Sequence, residues 1–330
     1  SDVSRNGNAG INIEGAAQAL IEESKIYKNR LAGIRIETGE SQGATELSAS
    51  ILNSEIYMNG TAGVDSISRH ESSVDLALIG NVIYKNAMAG LNTMAVSRLT
   101  AKGNRICSNG AAGILSSETA VPPRLDIYQN TVSFNGGAGI YIQNGINGSL
   151  GIRNNWIFNN LYSGIVCGLV ENPANKETAI EIINNTIVSN GSDERGAGIW
   201  NEGRGKVVMR NNIVAYNYTT GIRPSRCRGY SHNLVFANGD LPGGGEDADP
   251  LPAWVENRQF GGCPGAGKGG LIVDPLFVDP DNYEFSLQDG SPAIDAGDSK
   301  AIYHDLSCDP SKGTDRNDMG ATGGPYAAIP

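Results

Sequence analysis

Apolar residues in this chain come in short alternating pieces, not in long stripes. Aliphatic side chains alternate with polar ones over a few positions, and each piece ends in Asn, Gly or Ser. Period-two alternation predicts strands that bury one face. The pieces also repeat. Gly followed by an aliphatic residue occurs at Gly10, Gly33, Gly63, Gly90, Gly113, Gly139, Gly164, Gly198 and Gly221, with spacings of 23, 30, 27, 23, 26, 25, 34 and 23. Asn stands four residues before that Gly at Asn6, Asn29, Asn59, Asn86, Asn109, Asn135, Asn160 and Asn217. In the 34-residue unit Asn190 stands eight before Gly198, displaced by an insertion within 191–196. A second column holds Asn81, Asn104, Asn130, Asn155, Asn185, Asn212 and Asn233, with Ser24 and Ser54 in the early units.

Each unit therefore supplies three short strands that cannot bury a face alone. Stacking the units buries them around one axis at roughly 4.8 Å per coil. The expected fold is all-β: a right-handed parallel β-helix of about nine or ten coils over residues 1–239, because parallel crossovers are right-handed. Asn suits left-handed turns, and its amide can bond its counterparts in the neighbouring coils. The glycine is expected to permit a bend. The repeat is already under way at Val3, which leaves room for coils upstream of Ser1.

Composition agrees. The chain has 44 Gly, 6% aromatic and 18% charged residues, suited to short strands and tight turns. A net charge of −10 argues against nucleic acid as a partner. No apolar run is long enough to span a bilayer. Cys107 and Cys167 lie inside repeats and are expected as free thiols. Cys227, Cys263 and Cys308 lie in the last third, where a Cys227–Cys263 disulfide is the favoured pairing. Among the sequons, Asn59, Asn190 and Asn217 fall on the ladder, and Asn147 is the one expected to be open to a glycan.

The Asn columns and Gly-Ile repeats resemble the pectate-lyase-like superfamily of right-handed parallel β-helices, over roughly residues 1–239. That resemblance implies an architecture and leaves the activity open. Residues 240–330 are expected as an irregular cap that closes the solenoid end. The stretches Asp274–Pro280 and Gly290–Gly297 resemble the tail of secreted or surface-anchored bacterial β-helix proteins. The resemblance implies a secreted or cell-surface bacterial protein. Its carboxylates suggest Ca²⁺, with Asp295 and Asp298 as ligands; turn capping is the plainer reading. End-to-end self-association is a further expectation for an open solenoid.

The candidate site lies on the third strand. Variable stretches at 38–45, 66–73, 116–123 and 169–178 should wall a groove floored by that strand's outward face. Alternation turns Asp75, Arg98, Lys102, Arg124, Asp126, Tyr128, Arg153, Glu181, Lys206 and Arg210 outward. Six basic residues in an acidic chain suit an acidic polysaccharide or cell-surface glycan; a solvated strand face with charges mixed for solubility is the plainer reading. For lyase or epimerase chemistry on a uronate, Arg124 and Arg153 would neutralise the carboxylate, Lys102 or Arg153 would be the base, and Tyr128 the acid. Asp126 and Glu181, two coils apart at roughly 9–10 Å, also approach the spacing of an inverting glycosidase pair. Arg98 and Arg210 would bind substrate. On the second strand's outward face, Tyr141 and Trp200 could stack on sugar rings, or equally pack under a neighbouring loop. The groove-wall residue His70 is the one histidine worth considering as a base. The DPHD motif of alginate epimerases, the NTD and GHG motifs of polygalacturonases and the RxPxxR motif of pectate lyases are all missing; Arg223-Pro224-Ser225-Arg226 does not match the last. A non-catalytic adhesin or matrix protein is therefore the alternative.

Overall fold

The computed structural model describes the chain apart from residues 40–45, 70–71, 118–122, 144–147, 169–178, 193–195, 203–205, 225–228, 240–258, 261–262, 264–265, 307–308 and 328–330. The repeat folds as a right-handed parallel solenoid. Three parallel sheets run its length, of ten, nine and nine strands. The first runs from Asp2–Ser4 to Leu234–Phe236, the second from Ile11–Glu14 to Thr220–Arg223, and the third from Gln18–Glu22 to Tyr230–Ser231. These are the expected nine or ten coils of three strands.

Register is strict. Leu99 pairs with Leu125, then Leu150, then Ile180, so each inward residue stacks on its equivalent. The core is aliphatic, and Ile34, Ile56, Leu76, Leu91, Ile114, Ile140 and Ile165 are fully buried. Each such side chain contributes about 1.5–3 kcal/mol through burial.

Both asparagine columns form continuous ladders. In one, Nδ2 of each Asn donates to Oδ1 of the next, from Asn6 to Asn238, at 2.8–3.0 Å. Asn190 takes its place despite the insertion. The second runs from Asn81 to Asn233, and Ser24 and Ser54 extend it backwards. Asn59, Asn190 and Asn217 are buried, as the ladder requires; Asn147 lies outside the described residues.

Two details differ from expectation. The left-handed residue is not the ladder asparagine but the one before it, for example Lys28, Met58, Lys85, Ser108 and Phe134. The asparagine amide then stabilises that turn by donating to the carbonyl two residues back, as Asn160 does to Phe158. The repeated glycines do not need unusual φ either. A Cβ on Gly90 would lie 2.5 Å from Ile106 Cγ2 and 2.8 Å from Gly113 O, so the glycine is required by close stacking of coils.

The C-terminal segment does more than close an end. Gln259 accepts from Asn238 and so extends the first ladder beyond residue 239. Phe260 and Cys263 join the solenoid core, and Leu271 bridges to Leu234. The remaining tail lies along the flank of the solenoid. Phe277, Phe285, Leu287, Ala293 and Met319 form a second apolar core with Trp156, Phe158, Val188 and Ile213 on the outer face of the first sheet. Cys263 is disulfide-bonded, and Cys107 and Cys167 are free; Cys227 and Cys308 lie outside the described residues.

Candidate functional site

The outward face of the third sheet carries three straight columns. The first holds Gln18, Ser48, Asp75, Arg98 and Arg124 in register. It floors a groove of ≈ 670 Å³ that also takes in Glu46 and Ser73. Five coils give that floor a length of roughly 19 Å. A hollow therefore lies on the expected face. Most of its expected wall residues, at 40–45, 70–71, 118–122 and 169–178, lie outside the described residues, as does His70.

The second and third columns hold Thr100, Asp126, Gly151 and Glu181, and Lys102, Tyr128, Arg153, Ile183 and Arg210. The structure brings Lys102, Arg124, Asp126, Tyr128, Arg153 and Glu181 onto one patch. Asp126 and Glu181 are indeed two coils apart, but they do not face each other across open space. Arg153 lies between them, with Nη1 at 3.3 Å from Asp126 and Nη2 at 2.6 Å from Glu181. Gly151, between the two carboxylates, makes room: a Cβ there would run into the Arg153 guanidinium. Arg153 thus bridges the two carboxylates.

The other arginines are paired as well. Arg124 Nε donates to Asp126 at 2.9 Å, and Arg98 stands 3.7 Å from Asp75. The basic strip read from the sequence is largely charge-compensated. Among the described residues no carboxylate pairs with Lys102, whose Nζ lies 5.6 Å from the Tyr128 ring centroid. Burial, with Asp126 and Tyr326 nearby, raises the Tyr128 pKa and keeps the phenol protonated. A protonated phenol, an ammonium and a guanidinium thus sit on adjacent coils, able to donate to an anionic sugar. The Lys206 side chain lies outside what the structure describes.

Arg210 and Asp298, assigned separately from the sequence to substrate and metal, meet each other. Their ion pair is 2.9 Å long, and Arg210 also donates to the Tyr303 hydroxyl at 2.8 Å. Arg210 thus anchors the tail. Asp295 accepts from the Thr314 backbone N–H and hydroxyl and caps a turn. Among the described residues no cluster of three metal-binding side chains occurs. Tyr141 and Trp200 share a column on the second sheet, two coils apart, away from the groove. Trp200 is covered by Arg223, 4.9 Å from its centroid.

Sequence reasoning missed the tail's part in this region. Tyr326 packs edge-on against Tyr128, with centroids 5.8 Å apart. Gln129 Nε2 donates to the Tyr326 carbonyl. Asn154, Asn184 and Asn211, each just before a ladder Asn, bond the tail rather than the core. Asn154 reaches Ala321 and Gly323, Asn184 reaches Asp318 and Gly320, and Asn211 accepts from the Asp298 N–H. The Asn-Asn doublets at these places were the available signal.

Residues 9–172 match the family described as "Right handed beta helix region". No curated protein matches the chain by sequence. Among solved structures, the pectate lyase Pel9A aligns at 17% identity and a TM-score of 0.46, over 97% of this chain and 68% of its own. The periplasmic alginate epimerase AlgG aligns at 14% and 0.44, over 78% and 60%. The A-module of the mannuronan C-5 epimerase AlgE6 from Azotobacter vinelandii aligns at 14% and 0.45, over 83% and 79%. No helix among the described residues is long and apolar enough to cross a membrane.

Proposed function

We propose that this pectate-lyase-like β-helix is an extracellular carbohydrate-interacting protein whose third sheet takes an acidic, uronate-containing polysaccharide. The observation that carries this reading is the five-coil groove over one in-register polar column. An extended glycan repeats along its length, and so does this floor. Lys102 and Arg124 would meet sugar carboxylates. In a lyase or epimerase, Lys102 would first have to give up its own proton to take the C5 proton, leaving Arg124 to neutralise the carboxylate, and Tyr128 would serve the opposite face or the leaving oxygen.

The pairing of every described arginine on the strip with a carboxylate favours a second reading. In it the same groove retains the polymer without turnover, as an adhesin or matrix component does.

Affinity electrophoresis through polygalacturonate, alginate and glycosaminoglycans tests both. Retention that weakens with salt, and weakens about tenfold in the Lys102→Ala/Arg124→Ala variant, is expected. Ultraviolet absorbance from an unsaturated uronate, or exchange of the C5 proton followed by NMR, would select the enzyme. Retention with neither signal selects the binding protein. No retention on any of these polymers removes the proposal.

A further inference from the structure

The tail and the third sheet enclose a second cavity, of ≈ 160 Å³. Arg153, Glu181 and Ile183 line it from the solenoid, and Ile302, Tyr303 and Tyr326 from the tail. Its lining has two natures. Ile302 is 69% exposed and Tyr326 47% exposed, so apolar surface is left open beside an ion pair. An apolar and aromatic wall facing a guanidinium and a carboxylate is the chemistry that holds a pyranose: ring C–H groups on one side, hydroxyls on the other.

We infer that this cavity is a subsite for a single terminal sugar ring of a glycan, built jointly by the tail and the solenoid. The inference rests on the proposal that the third sheet binds a glycan. Three observations support it. The cavity is well below the size of pockets that hold larger ligands, which suits one ring. It lies next to the groove: Arg124 lines the groove and pairs with Asp126, and Arg153 links Asp126 to Glu181 in the cavity. Its tail wall is fixed by bonds from Asn154 to Ala321 and Gly323, from Gln129 to Tyr326, and from Arg210 to Tyr303.

Charge decides the class of ligand. Its charged lining residues, Arg153 and Glu181, sum to zero when ionised, so the cavity does not select a carboxylate. It holds its sugar by the ring face and hydroxyls. Binding there is insensitive to salt, whereas binding along the groove is not. The cavity lies one to two coils beyond Arg124, the last residue of the groove floor, so the terminal ring of a chain lying in the groove would fall there.

The test uses the polymer retained by the full-length protein and short oligosaccharides cut from it, measured by calorimetry at low and high salt. Tyr326→Ala keeps the tail's backbone bonds. It is expected to weaken the shortest oligosaccharide about tenfold while polymer retention changes little. Ile302→Ser, at an exposed position, should act in the same direction. Arg98→Ser should do the reverse. No effect of Tyr326→Ala or Ile302→Ser on the short sugar overturns the subsite and leaves the groove standing. Loss with Tyr326→Ala but no effect of Arg98→Ser supports the subsite and sinks the groove. Absence of any binding by the unmodified protein overturns both.

Discussion

A ladder asparagine is a small machine for tolerating a poor backbone conformation. Residues such as Met58, Phe134 and Tyr216 adopt positive φ, where side chains of their size are rarely found. The asparagine after each one makes that turn tenable by bonding it on both sides. Asn109 accepts from the Asn86 backbone and side-chain amides, and donates to Asn135 and to the Ile83 carbonyl. Asn109→Ala leaves buried groups unpaired in both neighbouring coils. It should cost about 3 kcal/mol or more, read as a shift in a denaturant melt. The column was legible in the sequence because asparagine recurs at fixed register. The left-handed neighbour was not, because Lys, Met, Ser and Phe share no side-chain signature for it. Gly151 was legible in the same limited way: a glycine inside an alternating strand marks a close approach, but not by what. Gly151→Ala should push Arg153 off Asp126 and Glu181. Both carboxylates reach water, so stability should fall by about 1 kcal/mol at most. Binding of short oligosaccharides should weaken severalfold in the same calorimetric assay.

At the scale of elements, the tail is the part the sequence described least well. Its Gly, Pro and Asp content reads as a loop, and loops have no register from which contacts can be inferred. It packs as a second small core on the first sheet and crosses the corner to the third. Two buried carboxylates hold it together. Asp305 accepts from the Asp318 and Gly324 N–H groups, and Asp318 accepts from those of Asp295 and Lys312. Burial outweighs these bonds and raises the pKa of Asp305 to about 7 and of Asp318 to about 6. The folded tail therefore holds protons more tightly than the unfolded chain. Its stability contribution is full below the ordinary carboxylate range of about 4 and is lost as pH rises through about 6 and 7. Limited proteolysis should release the tail faster at pH 8 than at pH 5, after correction for the protease's own pH dependence. Asp318→Asn should flatten that difference. Equal release at both pH values would show that these carboxylates do not control docking.

At the scale of the molecule, strict register makes each coil an interchangeable unit, and stability approximates a sum over neighbouring pairs. Val82 pairs with Arg105, Leu91 with Ile114 and Arg98 with Arg124. Removing residues 82–104 takes out one whole coil and joins Asn81 to Arg105, the kind of junction Asn104 makes now. The coil below can then stack on the coil above with every inward residue and ladder asparagine matched. The tail is untouched, since the bonds and ring contacts holding it to the third-sheet corner begin at Tyr128 and Gln129. The shortened protein should fold and melt cooperatively, with a melting temperature only a few degrees lower. Removing 82–98 should not, because it takes the first- and second-sheet strands out of one coil and leaves Leu99–Lys102 joined directly to the preceding third-sheet strand, so that coil cannot close. The same deletion bears on function. It shortens the groove floor by one coil and removes Arg98 and Lys102 while leaving the tail cavity whole. Polymer retention should drop and recognition of the short terminal sugar should survive. Circular dichroism melts and calorimetry on this one variant would therefore examine the modularity of the fold and the division of labour between groove and tail together.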